Sequence, residues 1–198
     1  DSGNRLLSLL NDLLDLSKLE SGHMHMNYSS TDLATIARDA VSQLSALAAG
    51  RGVRLLIEGS DDAPLSADRE RLLQVMTNLI GNAIKFTAAD SAIRINWAAI
   101  EMMPDASDAH GSPGWRVTVI DAGPGIPAGE EEAIFDKFVQ SSGTSTGAGG
   151  TGLGLAICRE IISRHHGRIT ASNAPEGGAC FTFALPSDPP TIEEGGNP

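Results

Sequence analysis

"DAGPGIPAGEEEAIFDKFVQSSGTSTGAGGTGLGLAI", residues 121–157, holds two glycine clusters separated by a short aromatic segment and a serine- and glycine-rich run. Asp121 ends a strand pattern, and Gly123 and Gly125 allow backbone conformations and close approaches that side chains would block. A carboxylate at a strand end beside an apolar pocket can accept a hydrogen bond from an exocyclic amine such as that of adenine. An ordinary turn after a strand fits the same residues. In the second cluster Gly152 and Gly154 sit at and just inside a helix start, where each costs about 1 kcal/mol relative to Ala. Backbone N–H groups at a helix N-terminus bind phosphate, and glycine lets the phosphate approach. Gly147 to Gly152 also matches GxGxxG. No strand runs directly into that match, as a dinucleotide fold requires, and no GK[ST] follows, as a Walker A loop requires.

Upstream, the spacing predicts a helix over 68–86. Leu72, Leu73, Val75, Met76, Leu79, Ile80, Ala83 and Ile84 make its apolar side, and Gln74, Asn78, Asn82 and Lys85 make a polar stripe. A polar stripe is commonly a solvated face, but such faces favour Glu and Lys, and Asn is a poor helix former. Two asparagines followed by a lysine fit amide oxygens on a hard cation and an ammonium reaching an anion. Mg²⁺ with phosphate is the natural pairing, since Mg²⁺ takes oxygen ligands and shares them with substrate phosphates.

Around this helix the elements alternate in type. Strands are predicted near 24–29, 53–58, 92–100, 115–121, 168–173 and 180–185, with helices over 32–49, capped by Thr31 or Ser30, and over 151–166. Residues 101–114 read as a polar hairpin loop and 188–198 as a linker or disordered tail. Runs of strands meeting runs of helices imply an α+β sandwich with helices on one face of a mixed sheet. Residues 5–20, "RLLSLLNDLLDLSKLE", carry leucines at three- and four-residue spacing on a face too wide for an isolated helix in water. Either the main domain or a second copy of the chain could cover it, and "SGHMHMNY" (21–28) reads as the hinge that ends it.

Composition excludes several classes. The chain has 198 residues and a formal charge of -11 without an acidic block. Nucleic acid and anionic membranes need clustered Lys and Arg, so neither is an expected partner, and phosphate must be held by local donors and metal. Cys158 and Cys180 lack zinc or disulfide spacing, which suits a reducing compartment. No run approaches the roughly 18 apolar residues that read as a membrane span.

In order along the chain, "QVMTNLIGNAIKFT", "DAGPGIP", "IFDKFVQ", "GGTGLGLAI" and a looser "EGGACFTFALP" resemble the N, G1, F, G2 and last glycine boxes of the ATP-binding catalytic domain of sensor histidine kinases. That domain belongs to a wider family with gyrase, the mismatch-repair ATPase and the heat-shock chaperone ATPase. The resemblance covers nearly the whole chain. It implies a two-layer α/β sandwich of the Bergerat type over 23–187, and it makes residues 1–22 similar to the second helix of the dimerisation and histidine-phosphotransfer bundle.

The resemblance further implies ATP and Mg²⁺ as ligands. Asn82 and Asn78 would hold the metal, with Asn78 and Lys85 nearest the phosphoryl chemistry and Phe86 lining the pocket. Asp121 would take the adenine amine, with Gly123, Gly125 and Ile126 shaping that end. Phe135 and Phe138 would anchor a lid whose mobile part is 141–150, and Gly150, Thr151, Gly152, Leu153 and Gly154 would cradle phosphates. Hydrolysing members carry an acidic residue where Asn78 stands. An amide cannot activate water, whereas a neutral imidazole is already a nucleophile, so Asn78 favours a kinase over an ATPase. Gln140 stands where many relatives are basic, a loss that Lys137 is placed to offset. None of His23, His25, His110, His165 or His166 has the acidic-proline context of the family's phosphoacceptor. His165 and His166 end a helix, where cations suit the dipole. The expectation is a cytoplasmic kinase segment, homodimeric through its first helix in the parent, that binds Mg-ATP, serves a response regulator receiver domain and does not phosphorylate itself. A non-catalytic dimerising adaptor and a family ATPase are the other readings.

Overall fold

The computed structural model describes residue 10 and residues 25–102, 111–142 and 151–188. The expected first helix, the tail from 189 and Gly150 lie outside the described residues.

Among the described residues, seven strands and three helices are built as β1 (Ser29–Asp32), α1 (Leu33–Gly50), β2 (Arg54–Gly59), β3 (Pro64–Ala67), α2 (Arg69–Phe86), β4 (Ala92–Met102), β5 (Ser112–Ile120), α3 (Gly154–Arg164), β6 (Arg168–Asn173) and β7 (Ala179–Pro186). Five strands form one sheet in the order β2-β4-β5-β7-β6. β2 runs parallel to β4 and the other pairs are antiparallel. Alternation sends Ile93, Ile95, Trp97, Val117, Val119, Phe181, Phe183 and Leu185 into one buried layer with the helices. On the opposite face Glu58, Asn96, Thr118, Thr182 and Thr170 lie in one cross-strand row and retain solvent contact. The expected two-layer sandwich is the observed one.

Several boundaries differ from the sequence reading; β4 runs to Met102 and β5 starts at Ser112, so their ladder takes in residues at both ends of the expected 101–114 loop. The first strand is Ser29–Asp32 rather than 24–29, because its partner is β3, a strand the pattern did not reveal. Residues just before it are engaged elsewhere, with the Asn27 N–H donating to Asp68 Oδ2 at 2.9 Å. Asp32, not Thr31 or Ser30, caps α1, since Asp32 is the residue directly before the helix and its Oδ1 accepts from Thr35 N–H at 2.8 Å. α3 starts at Gly154 rather than 151, because Gly152 has φ +71, which is not helical. It ends at Arg164 rather than 166, where His166 turns left-handed at φ +57.

α2 and α3 pack antiparallel, as three contacts show. Asn78 Nδ2 donates to Gly154 O at 3.5 Å, Cys158 Sγ lies 3.9 Å from Val75 O, and the Asp68 N–H donates to His165 Nε2 at 3.0 Å. The last of these corrects the reading of His165 as a helix-end cation. The ring is 2% exposed, and its Nδ1–H donates to Ile161 O at 2.8 Å while Nε2 accepts. Burial lowers its pKa, and no proton can enter at Nε2 without facing the Asp68 N–H. Tyr28 stacks edge-on to it at 5.4 Å and donates its hydroxyl to Arg164 O at 2.5 Å.

The folded ring titrates below the ordinary 6.5, so its neutral contacts contribute fully above that pH and are lost as pH falls through the folded value. Urea unfolding is therefore expected to show stability falling as pH drops below about 6.5, with part of the slope absent in His165→Gln. Identical slopes in the two proteins would refute that assignment.

Candidate functional site

The site is assembled where the second half of α2 meets the start of α3 and the end of β5. Asp68 caps α2 through Oδ1, which accepts from Arg71 N–H at 3.1 Å, and the helix then presents the expected stripe. Gln74 is held by Arg71 Nη1 at 2.8 Å. One turn on, Asn78 spans to Gly154, so the amide stripe and the second glycine cluster are brought into contact. Beneath Asn78 the Cys158 thiol is fully buried and pushed up to about 12, which keeps it neutral. The Asn82 amide is half-buried and has no hydrogen-bond partner among the described residues. Lys85 Nζ lies 4.7 Å from the centre of the Phe86 ring. Arg51, which sequence reasoning missed, donates to Ile84 O at 3.4 Å and Lys85 O at 3.1 Å and so fixes the end of the helix.

At the opposite wall Asp121 is 6% exposed. Its Oδ1 accepts from Gly123 N–H at 2.8 Å and Ala179 N–H at 3.0 Å, and no donor among the described residues reaches Oδ2. Burial pushes its carboxyl above the usual carboxylate range, while the N–H groups of Ala179 and Gly123 act in the other direction. Gly123 packs against Phe86, where an added Cβ would lie 3.0 Å from Phe86 O. The Asp121 turn and the end of α2 are thus one surface. Next to Phe86, the Thr87 hydroxyl is buried without a partner, a condition that costs about 1–3 kcal/mol unless a ligand or water relieves it.

The aromatic segment closes the third side. A 3₁₀ turn, Ala133–Phe135, buries Phe135 edge-on to Phe181 at 6.4 Å, with the Arg159 guanidinium 5.8 Å from its ring centre. Arg159 also pairs with Asp136 at 2.8 Å. Phe138 makes its contact differently from Phe135. Its ring is 64% exposed, and it anchors the segment through its backbone, whose N–H donates to Gly152 O at 2.9 Å. That bond ties residues 138 and 152 together at the base of the expected lid. Ser141 and Ser142, expected in the mobile part, are both held by Glu130, which accepts from Ser141 Oγ at 2.8 Å and Ser142 N–H at 3.1 Å, and also from Ser142 Oγ. Those bonds, Ser142 Oγ foremost, draw the Glu130 carboxyl below its usual range. Lys137 is exposed beside them. In the second cluster the Leu153 N–H donates to Thr151 Oγ1 at 3.1 Å, while the Leu153 side chain is core.

A mixed sheet with helices on one face, bearing amides on α2, a strand-end carboxylate and a glycine-led helix start, defines a domain of the two-layer α/β sandwich class. The family described as histidine kinase-, DNA gyrase B-, and HSP90-like ATPase matches residues 67–189. Hybrid signal transduction histidine kinase D of Dictyostelium discoideum is 38% identical over 93% of this chain and 12% of its own length. Full-length ShkA, solved in complex with AMPPNP, superposes with TM-score 0.77 at 30% identity, covering 93% of this chain and 36% of that one. Histidine kinase ThkA, solved in complex with response regulator protein TrrA, gives TM-score 0.71 at 26% identity over 95% of this chain and 49% of that one. The chain belongs to the histidine kinase-, DNA gyrase B-, and HSP90-like ATPase family, in its histidine kinase branch.

Proposed function

We propose that this chain is the ATP-binding catalytic part of a two-component sensor histidine kinase, which moves the γ-phosphoryl group of ATP to a histidine borne on another helix. The observation that carries the reading is the contact of Asn78 with Gly154, which sets the Asn78 carboxamide of α2 beside a helix start. Asp121 Oδ2 would accept the adenine amine, Phe86 and Ile126 would line the base, and Gly123 and Gly125 would shape that end. Lys85 would pair with a phosphate, and the N–H groups from Gly152 to Gly154 would meet the others, displacing the Thr151 hydroxyl from Leu153. Mg²⁺ fits the unpartnered Asn82 amide together with Asn78. When bound it would neutralise phosphate charge.

In the transfer, the imidazole nitrogen forms the P–N bond as the bond from phosphorus to the ADP oxygen breaks. Neutral imidazole needs no base to attack, and Asn78 offers none. We further assign residues 1–22 to a dimerisation helix, 23–187 to the catalytic domain and 188–198 to a linker or tail. In the parent the chain would act as a cytoplasmic homodimer whose phosphohistidine serves a response regulator. Among the described residues no helix is long and apolar enough to cross a membrane.

Calorimetric titration with ADP and a non-hydrolysable ATP analogue, with and without Mg²⁺, tests the reading. Binding of about 5–8 kcal/mol is expected, and Asn82→Ala is expected to lose the part that Mg²⁺ adds. No binding in either condition would favour the adaptor, and steady phosphate release abolished by Asn82→Ala would favour the ATPase.

A further inference from the structure

We propose that Asn173 is a positioning residue for the nucleobase end of the site, acting by clamping the Ile126 backbone. The inference rests on the nucleotide reading above and deepens it. Asn173 is the last residue of β6, 47 positions from Ile126 in sequence. Its Oδ1 accepts from the Ile126 N–H at 2.6 Å and its Nδ2 donates to the Ile126 O at 2.8 Å. A single side chain thereby satisfies both polar groups of a residue that has no strand partner. Only a carboxamide of this length supplies a donor and an acceptor in that spacing.

The hairpin that begins at Asn173 holds the other end of the same turn. Ala179, where β7 starts, donates its N–H to Asp121 Oδ1 at 3.0 Å and accepts from the Asp121 N–H at 3.0 Å. Ala174 N–H to Gly178 O and Gly177 N–H to Ala174 O, both 2.9 Å, close the hairpin itself. Residues 122–125 are therefore strung between two clamps on one rigid hairpin. One clamp is Ala179 on Asp121 and the other is Asn173 on Ile126. The fit at the second is tight, since Gly125 has φ +79 and a Cβ there would lie 2.5 Å from Asn173 Oδ1. The Gly123 N–H that orients the Asp121 carboxylate belongs to the suspended segment. Releasing Ile126 frees the segment that aims Asp121 and places the Ile126 side chain. Asn173 is itself exposed and adds nothing to the core, so its role in the site separates from a role in folding.

The test compares wild type with Asn173→Ala and Asn173→Asp in the whole chain. Two hydrogen bonds predict about a tenfold rise in Kd for ADP and for the non-hydrolysable ATP analogue alike. The ratio between the two nucleotides and the Mg²⁺ increment are expected to stay as in wild type, and the thermal midpoint to fall by a few degrees, the worth of the two lost hydrogen bonds. Asn173→Asp is expected not to rescue, because it sets a carboxylate against the Ile126 carbonyl. In the nucleotide-free chain the Ile126 amide is expected to exchange slowly with solvent in wild type and fast in Asn173→Ala. Unchanged affinity, full rescue by Asp, or an Ile126 amide indifferent to the substitution would each overturn the proposal. A wild-type chain that binds no nucleotide would instead overturn the function proposed above, and the exchange measurement would still report on the clamp.

Discussion

Asp121→Asn weakens adenine nucleotide binding by about 10- to 100-fold, the worth of a hydrogen bond to a charged group, and leaves the thermal midpoint unchanged or slightly raised. The asymmetry follows from the environment of the carboxylate. Both intramolecular donors, Gly123 N–H and Ala179 N–H, end on Oδ1, and an Asn carbonyl oxygen can accept from both. The second oxygen is the one left for a ligand amine. An Asn there presents N–H₂, a donor facing a donor. Stability behaves oppositely because burial raises the Asp121 pKa in the folded chain, so ionisation above that value works against the fold and a neutral isostere removes the effect. Calorimetry for affinity and thermal unfolding for stability separate the two. A variant that loses both together would show that Asp121 is chiefly structural.

Gly178→Ala destabilises the fold by about 3 kcal/mol or more, and Gly177→Ala by about 1–2 kcal/mol, although both positions have positive φ, +87 and +95. At Gly177 an added Cβ meets nothing within 4 Å, so the cost is the backbone conformation alone. At Gly178 the same atom would lie 2.0 Å from Asp121 O and 2.8 Å from its carbonyl carbon, and backbone cannot rotate away as a side-chain end can. Relief requires prising the hairpin from Asp121, which also breaks the Ala179 bond that orients its carboxylate. Urea unfolding of the two variants measures the difference, and loss of nucleotide binding should accompany only Gly178→Ala. Equal losses at the two positions would mean that the hairpin gives way freely.

Part of this site was legible from residue order. α2 could be read with its stripe because 18 consecutive residues repeat one helical period, and Asn is out of place on a face that is merely solvated. The two glycine clusters announced themselves by helix-breaking residues beside a helix. β3 escaped because four residues led by Pro64 are too few to show a period, and they are a strand only through β1. Phe138, expected as a lid anchor, has a positive φ of 64, an exposed ring and a backbone N–H bonded to Gly152, none of which its position in the sequence shows. Nothing near Asn173 distinguishes it from any turn asparagine.

By itself, then, the sequence determined the family of this protein, the order of its elements other than β3, and the candidate stripe of α2, Asp121 and the glycine clusters. Each of those signals is carried by neighbours within a few turns or strand residues. Only the tertiary structure decided that His165 is a neutral peg under Asp68, that Arg51 caps the far end of α2, and that one hairpin grips both ends of the Asp121 turn. The physical reason is that each of these rests on one or two hydrogen bonds between residues 33 to 97 positions apart, and such a bond leaves no periodic trace in the chain.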